Sequence, residues 1–117
     1  MPKTVLIVDD HASFRRAVRL VLEYEGYEVV GEAADGEEAL AAAGDLSPEL
    51  VLLDVHMPGI DGFEVASRLT AGEGSPAVVL TSSRDGTDFD QRVRRSGARG
   101  FIPKAEISGQ RLADLLR

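Results

Sequence analysis

Short unbroken apolar runs recur along the chain and alternate with stretches whose apolar residues return every three or four positions. Thr4 to Val8, Leu50 to Leu53 and Ala77 to Leu80 are such runs, each followed by a polar residue. Runs this short, bounded by turn residues, suit strands buried on both faces of a parallel sheet. Tyr27 to Ala33 is interrupted by Glu28, Gly31 and Glu32, as an edge strand would be, and Ala98 to Ile102 supplies a short last strand.

Between the runs the period lengthens. Phe14, Ala17, Val18, Val21 and Leu22 form one apolar stripe on a helix, with Arg15, Arg16, Arg19 and Glu23 outside it. Asp35 and Asp61, each with Glu three residues later, mark two further helix starts, the first helix running to about Ala43 and the second from Gly62 to about Ala71. Gly44 to Glu49 reads as a turn. A weaker helix is expected over Asp85 to Ser96, anchored by Phe89 and Val93, and a last one over Ile107 to Arg117, with Ser108 as N-cap and Ile107 stapled on Leu112. Five strands strictly alternating with five helices imply a doubly wound α/β domain.

Composition narrows the use of such a domain. A chain of 117 residues fits one domain that buries roughly two thirds of its unfolded surface. Twenty acidic against 13 basic residues, a formal charge of −7, argue against nucleic-acid binding by this domain. No apolar run has membrane-spanning length, and the absence of cysteine leaves no disulfide framework and no thiolate chemistry, so a cytoplasmic setting is expected.

The candidate chemistry lies at the C-terminal ends of the strands, where ligands bind in open α/β sheets. The first strand ends in Asp9 and Asp10, the third in Asp54, the fourth in Thr81, and Lys104 follows the fifth. Carboxylates about 5 Å apart repel by roughly 3 kcal/mol per pair at an effective dielectric near 20, so the cluster calls for a cation or a retained proton. An all-oxygen donor set favours Mg²⁺, with Mn²⁺ as a substitute. A carboxylate nucleophile, a divalent metal, an ammonium and a hydroxyl are what phosphoryl transfer to an aspartate requires. His11 and His56 read as residues of the solvent lip. Arg92, Arg94, Arg95 and Arg99 read as a solvated basic face.

Asp9-Asp10, Asp54 with Met57-Pro58-Gly59 and Asp61-Gly62, Thr81 and Lys104, in this order, resemble the receiver domain of two-component response regulators. The resemblance runs from Lys3 through the final helix, so residues 1–117 are expected to be one receiver domain. Asp9-Asp10-His11 and Gly100-Phe101-Ile102-Pro103-Lys104 are most similar to receivers attached to helix-turn-helix transcription factors.

The resemblance implies a flavodoxin-like fold with strand order 2-1-3-4-5. It makes Asp54 the phosphoacceptor, with Asp9, Asp10, Asp54 and the backbone carbonyl of His56 around Mg²⁺, and Thr81 and Phe101 as a switch pair. It also implies a sensor histidine kinase, a phosphotransfer protein or a small acyl phosphate as donor. The last helices are the expected homodimer surface, and the transcriptional output lies outside this chain. Such a protein catalyses its own phosphorylation and dephosphorylation and is not a turnover enzyme. Two other readings compete: a Mg²⁺-dependent phosphatase using an aspartyl intermediate, and a receiver-like module that binds without phosphorylation. The chain departs from the family pattern at Ala105, where a proline with a cis bond is common. A cis bond before Ala105 would cost about 3 kcal/mol, so a trans bond is expected.

Overall fold

A computed structural model describes residues 3–83 and 90–116. In chain order the elements are β1 (Thr4–Val8), α1 (Ala12–Tyr24), β2 (Glu28–Ala33), α2 (Gly36–Leu46), β3 (Leu50–Asp54), α3 (Gly62–Leu69), β4 (Ala77–Ser82), α4 (Asp90–Arg95), β5 (Gly100–Pro103) and α5 (Gly109–Leu116). The strands form one parallel sheet in the order β2-β1-β3-β4-β5.

Because side chains alternate along a strand, each strand feeds two cores. Val5, Ile7, Leu50, Leu52, Val79 and Ile102 pack against Val18 and Leu22 of α1 and Leu112 of α5. Leu6, Val8, Val51, Leu53, Val78 and Leu80 pack against Ala39 of α2, Phe63, Val65 and Ala66 of α3, and Val93 of α4. The three central strands are therefore apolar on both faces through Val5–Val8, Leu50–Leu53 and Ala77–Leu80, which is why they read as continuous runs.

The Asp caps hold as expected. Asp35 accepts from Glu38 N at 2.8 Å and Asp61 from Glu64 N at 2.9 Å. Ser108 Oγ accepts from Arg111 N at 3.1 Å. β2 lies at the edge, and its pairing with β1 slips by one residue between Val5 and Leu6.

Several boundaries differ from the sequence reading. α2 continues through Gly44 to Leu46, where a turn was expected, and ends on Ser47 in the left-handed region at φ 46°. A mid-helix glycine costs about 1 kcal/mol relative to alanine. Leu46 compensates by lying against the Cβ-free face of Gly31 on β2, where a Cβ would stand 2.7 Å from Leu46 Cδ1. β5 starts at Gly100 and includes Pro103, which an edge strand tolerates because no ladder donor is needed there. Lys104–Glu106 makes an unforeseen 3-10 turn before α5. The apolar stripe of α1 is only partly covered: Val18 and Leu22 are buried and Phe14 half-buried, while Ala17 and Val21 are exposed. They overhang a groove of about 230 Å³ between α1 and Ile107. The expected α4 start and its Phe89 anchor lie outside the described residues; Val93 is buried.

Candidate functional site

The alternation that divides the core also gathers the site. Asp9, Asp54, Thr81 and Lys104 each stand two positions beyond an apolar residue of the α1/α5 face, namely Ile7, Leu52, Val79 and Ile102. Parallel register aligns Asp54 with Thr81 across β3 and β4. The polar groups thus continue the apolar rows at the C-terminal edge of the sheet.

Lys104 Nζ lies 2.6 Å from Asp9 Oδ2 and 3.7 Å from Asp54 Oδ2, and its stem passes Phe14, whose ring centroid is 4.4 Å from the ammonium. Asp9 is fully buried and Asp54 is 3% exposed, whereas the Asp10 side chain is partly open. Asp9 Oδ1 accepts from His11 N at 2.8 Å, and Asp54 Oδ1 accepts a long bond from His56 N at 3.3 Å. Asp9 Oδ2 meets Lys104 at ion-pair distance without hydrogen-bond alignment. Thr81 Oγ1 is buried and has no hydrogen-bond partner among the described residues. Burial, then the Asp9 charge, push the Asp54 carboxyl up to about 6, against the opposing pull of Lys104 and of the bond from His56 N.

The loop after β3 is shaped by close approach. Gly62, first in α3, donates its N–H to Val55 O at 2.9 Å, and a Cβ there would strike the Asp54 carbonyl and Val55 Cα. Only glycine lets α3 begin this close to the acidic strand end. The Lys104–Ala105 bond is trans, as are all others among the described residues.

Phe101 is not at the carboxylates. It stands opposite Leu80 on β5, half-buried against the α2–α4 side of the core, and lines a surface cavity of about 530 Å³ with Val93, Ala98 and Arg111. Arg92 is engaged: its guanidinium covers the Phe63 ring at 4.0 Å and pairs with Asp61 at 3.1 Å.

Two contributors escaped the sequence reading. Arg15, placed on the solvent side by helical spacing, instead donates to the Asp9 carbonyl at 2.5 Å and to Glu32 Oε1 at 2.9 Å. Glu32 on edge strand β2 also receives Arg19, and despite the counter-effect of partial burial these two guanidiniums hold its carboxyl below the usual range. His11 is exposed, as a lip residue would be, yet its Nδ1 stands 3.1 Å from both Asp9 Oδ1 and Asp10 Oδ1. One ligand atom each from Asp9, Asp10, His11 and Asp54 lies within 4.8 Å of the others. That spacing and the carboxylate donors fit a hard divalent cation such as Mg²⁺.

Residues 5–117 match the family described as the response regulator receiver domain. The transcriptional regulatory protein PdtaR of Mycobacterium tuberculosis is 41% identical over 104 residues, 89% of this chain and 50% of that protein. A two-component response regulator of the LuxR family from Aurantimonas sp. SI85-9A1 superimposes with a TM-score of 0.86 at 28% identity, over 97% of this chain and 81% of that one. A chain of the CheX–CheY–BeF₃–Mg²⁺ complex from Borrelia burgdorferi matches with a TM-score of 0.85 at 26% identity, over 99% of this chain and 87% of that one. The chain spans about half the length of the curated relatives it matches. Among the described residues no helix is long and apolar enough to cross a membrane. With its five parallel strands in the order 2-1-3-4-5 and polar groups at the strand ends, the chain belongs to the response regulator receiver domain family.

Proposed function

We propose that residues 1–117 form one phosphoacceptor domain, a cytoplasmic signalling switch in which Asp54 accepts a phosphoryl group. The observation that carries this reading is the environment of Asp54: a buried strand-end carboxylate 3.7 Å from an ammonium and in register with a buried hydroxyl that has no partner among the described residues. An oxygen of the Asp54 carboxylate attacks phosphorus. The new P–O bond forms as the bond to the donor breaks, and the leaving imidazole of a phosphohistidine, or the leaving carboxylate of an acyl phosphate, keeps the electron pair. Lys104 neutralises a phosphoryl oxygen, and Thr81 Oγ1 donates to another. Asp9, Asp10, Asp54 and the His56 carbonyl are the proposed holders of Mg²⁺, which when bound supplies further neutralisation of phosphoryl charge.

The product adds nearly two negative charges and three acceptor oxygens beside Thr81. Turning toward them, Thr81 leaves space along β4, and Phe101 is its proposed switch partner. The groove at β5, α4 and α5 is the proposed readout face, for a homodimer or for an output domain beyond this chain that acts on transcription. A sensor histidine kinase or phosphotransfer protein is the proposed donor.

The test is intact mass after incubation with Mg²⁺ and a small acyl phosphate. Wild type gains one phosphoryl group that EDTA prevents, and Asp54→Asn gains none. A wild type that binds Mg²⁺ but takes up neither phosphoryl nor beryllofluoride supports the phosphorylation-independent module instead. Steady release of phosphate from many external phosphomonoesters supports the phosphatase.

A further inference from the structure

We infer that Arg92 is a latch. It holds α4 against the start of α3 and so opposes the rearrangement by which the readout face answers phosphorylation of Asp54. The inference rests on the proposed phosphoryl switch and adds the residue that sets how readily it moves.

The fastening of α4 is light. Within Asp90–Arg95 only Val93 is buried, and an open cleft of about 300 Å³ lies between α3 and α4. Polar contacts join the two helices at both ends of that cleft. At one end Thr70 Oγ1 shares its proton between Ala66 O at 2.8 Å and Ser96 O at 3.1 Å. Gly97 lies so close there, at φ 83°, that a Cβ would strike the Thr70 hydroxyl. At the other end the Arg92 guanidinium covers the Phe63 ring at 4.0 Å and its Nη2 donates to Asp61 Oδ2 at 3.1 Å. The two attachments differ in exposure. Ser96 is buried, whereas the Arg92 and Asp61 side chains are 56% and 44% exposed. Ser96 is therefore a fixed pivot, and the Arg92 end opens without uncovering the core.

Arg92 grips α3 where that helix cannot follow it. Asp61 uses its other oxygen, Oδ1, to cap α3 through Glu64 N at 2.9 Å. Gly62 beside it is bonded to Val55 O at 2.9 Å and pressed against the Asp54 carbonyl, so the first turn of α3 is fixed on the end of β3. α4, by contrast, follows β4 in the chain. A turn of Thr81 toward a phosphoryl group therefore acts on the N-terminal side of α4, away from the Ser96 pivot. Rotation of α4 about that pivot carries Arg92 away from Asp61 and Phe63 and loses both contacts. Contacts present in one arrangement and absent from the other are what bias a two-state element, and these two favour the unphosphorylated one.

The experiment is calorimetric titration of the whole chain with beryllofluoride in saturating Mg²⁺, together with the rate of mass gain from acyl phosphate. It is run on wild type, Arg92→Gln, Asp61→Asn, the double variant and Arg95→Gln. Asparagine caps a helix as well as aspartate does, so Asp61→Asn keeps the start of α3 and loses only the charge, and circular dichroism checks the fold of each variant. Arg95 is exposed on the same helix and has no ion pair among the described residues, so its variant controls for loss of positive charge from α4. Arg92→Gln and Asp61→Asn bind beryllofluoride more tightly, by about three- to tenfold for Arg92→Gln, the worth of an exposed ion pair with a cation–π contact. The double variant gains no more than Arg92→Gln alone, because both changes open one latch. Uptake rates follow the same order, and Arg95→Gln behaves as wild type. Unchanged or weaker binding by Arg92→Gln overturns the inference, weaker binding giving Arg92 a part in assembling the acceptor loop instead. An equal gain in Arg95→Gln also overturns it, by tracing the effect to net charge. Failure of wild type and every variant alike to take beryllofluoride removes the underlying switch reading, an outcome distinct from these.

Discussion

The two faces of the sheet are alike in their cores and unlike at their ends. On the α1/α5 face the rows Ile7, Leu52, Val79 and Ile102 are followed by Asp9, Asp54, Thr81 and Lys104. On the other face, Val8, Leu53, Leu80 and Phe101 are followed by Asp10, Val55, Ser82 and Pro103, of which only the partly open Asp10 is ionisable. A one-residue change of phase thus separates a row that ends in chemistry from a row that ends mostly in packing. The difference teaches that the strands' apolar cores set the position of the site, and the parity of the terminal residue sets its content.

The comparison breaks most directly if the cores are unequal. Leu52 and Leu53 are adjacent, both buried, and face opposite layers. Leu52→Ala and Leu53→Ala should each cost about 2–5 kcal/mol, with similar values read from urea unfolding. A loss confined to one of them would show that one layer carries the fold and would remove the symmetry argued here.

Next in size is the ammonium that distinguishes the first face. Lys104→Met retains the stem over Phe14 but withdraws the charge between Asp9 and Asp54. Loss of one preorganised group aimed at developing charge typically costs about 3–4 kcal/mol, a rate decrease of about 10²–10³. The rate of mass gain with acyl phosphate and saturating Mg²⁺ should fall by that factor. An unaltered rate would place Lys104 outside the chemistry.

Much of this was legible from residues alone, for a physical reason. A strand buried on both faces must be apolar throughout, so β1, β3 and β4 announce themselves, and the first polar residue after each run is the strand-end group. Asp9, Asp54 and Thr81 were found that way, and the Asp35 and Asp61 caps by their three-residue spacing to Glu. What escaped depends on partners distant in sequence. Arg15 turns inward because Glu32 on the edge strand and the Asp9 carbonyl meet its guanidinium, which helical periodicity cannot foresee. α2 runs past Gly44 because Leu46 finds the bare surface of Gly31. The exposure of Ala17 and Val21 beside the groove toward Lys104 and Ile107 is a matter of packing between segments far apart in the chain.

The smallest expected effect tests the electrostatic cost of ending a buried row in a carboxylate. Asp54 is 3% exposed and its carboxyl is pushed up to about 6, first by burial and then by Asp9, from an ordinary value of 3.8. The raised value means that the folded state holds the proton more tightly than the unfolded chain does. Below pH 3.8 Asp54 is neutral in both states and contributes no difference. As pH rises from 3.8 to about 6 the unfolded chain ionises first, stability falls, and the penalty is complete above about 6. The shift corresponds to an upper bound of about 3 kcal/mol. In EDTA, Asp54→Asn escapes this penalty and should be more stable than wild type by about 1–3 kcal/mol at pH 7.5, with the advantage gone near pH 3.5. Mg²⁺ reverses the order by stabilising wild type through binding. Urea melts across this pH range read the effect, and an advantage independent of pH would trace it to packing of the amide rather than to the buried charge.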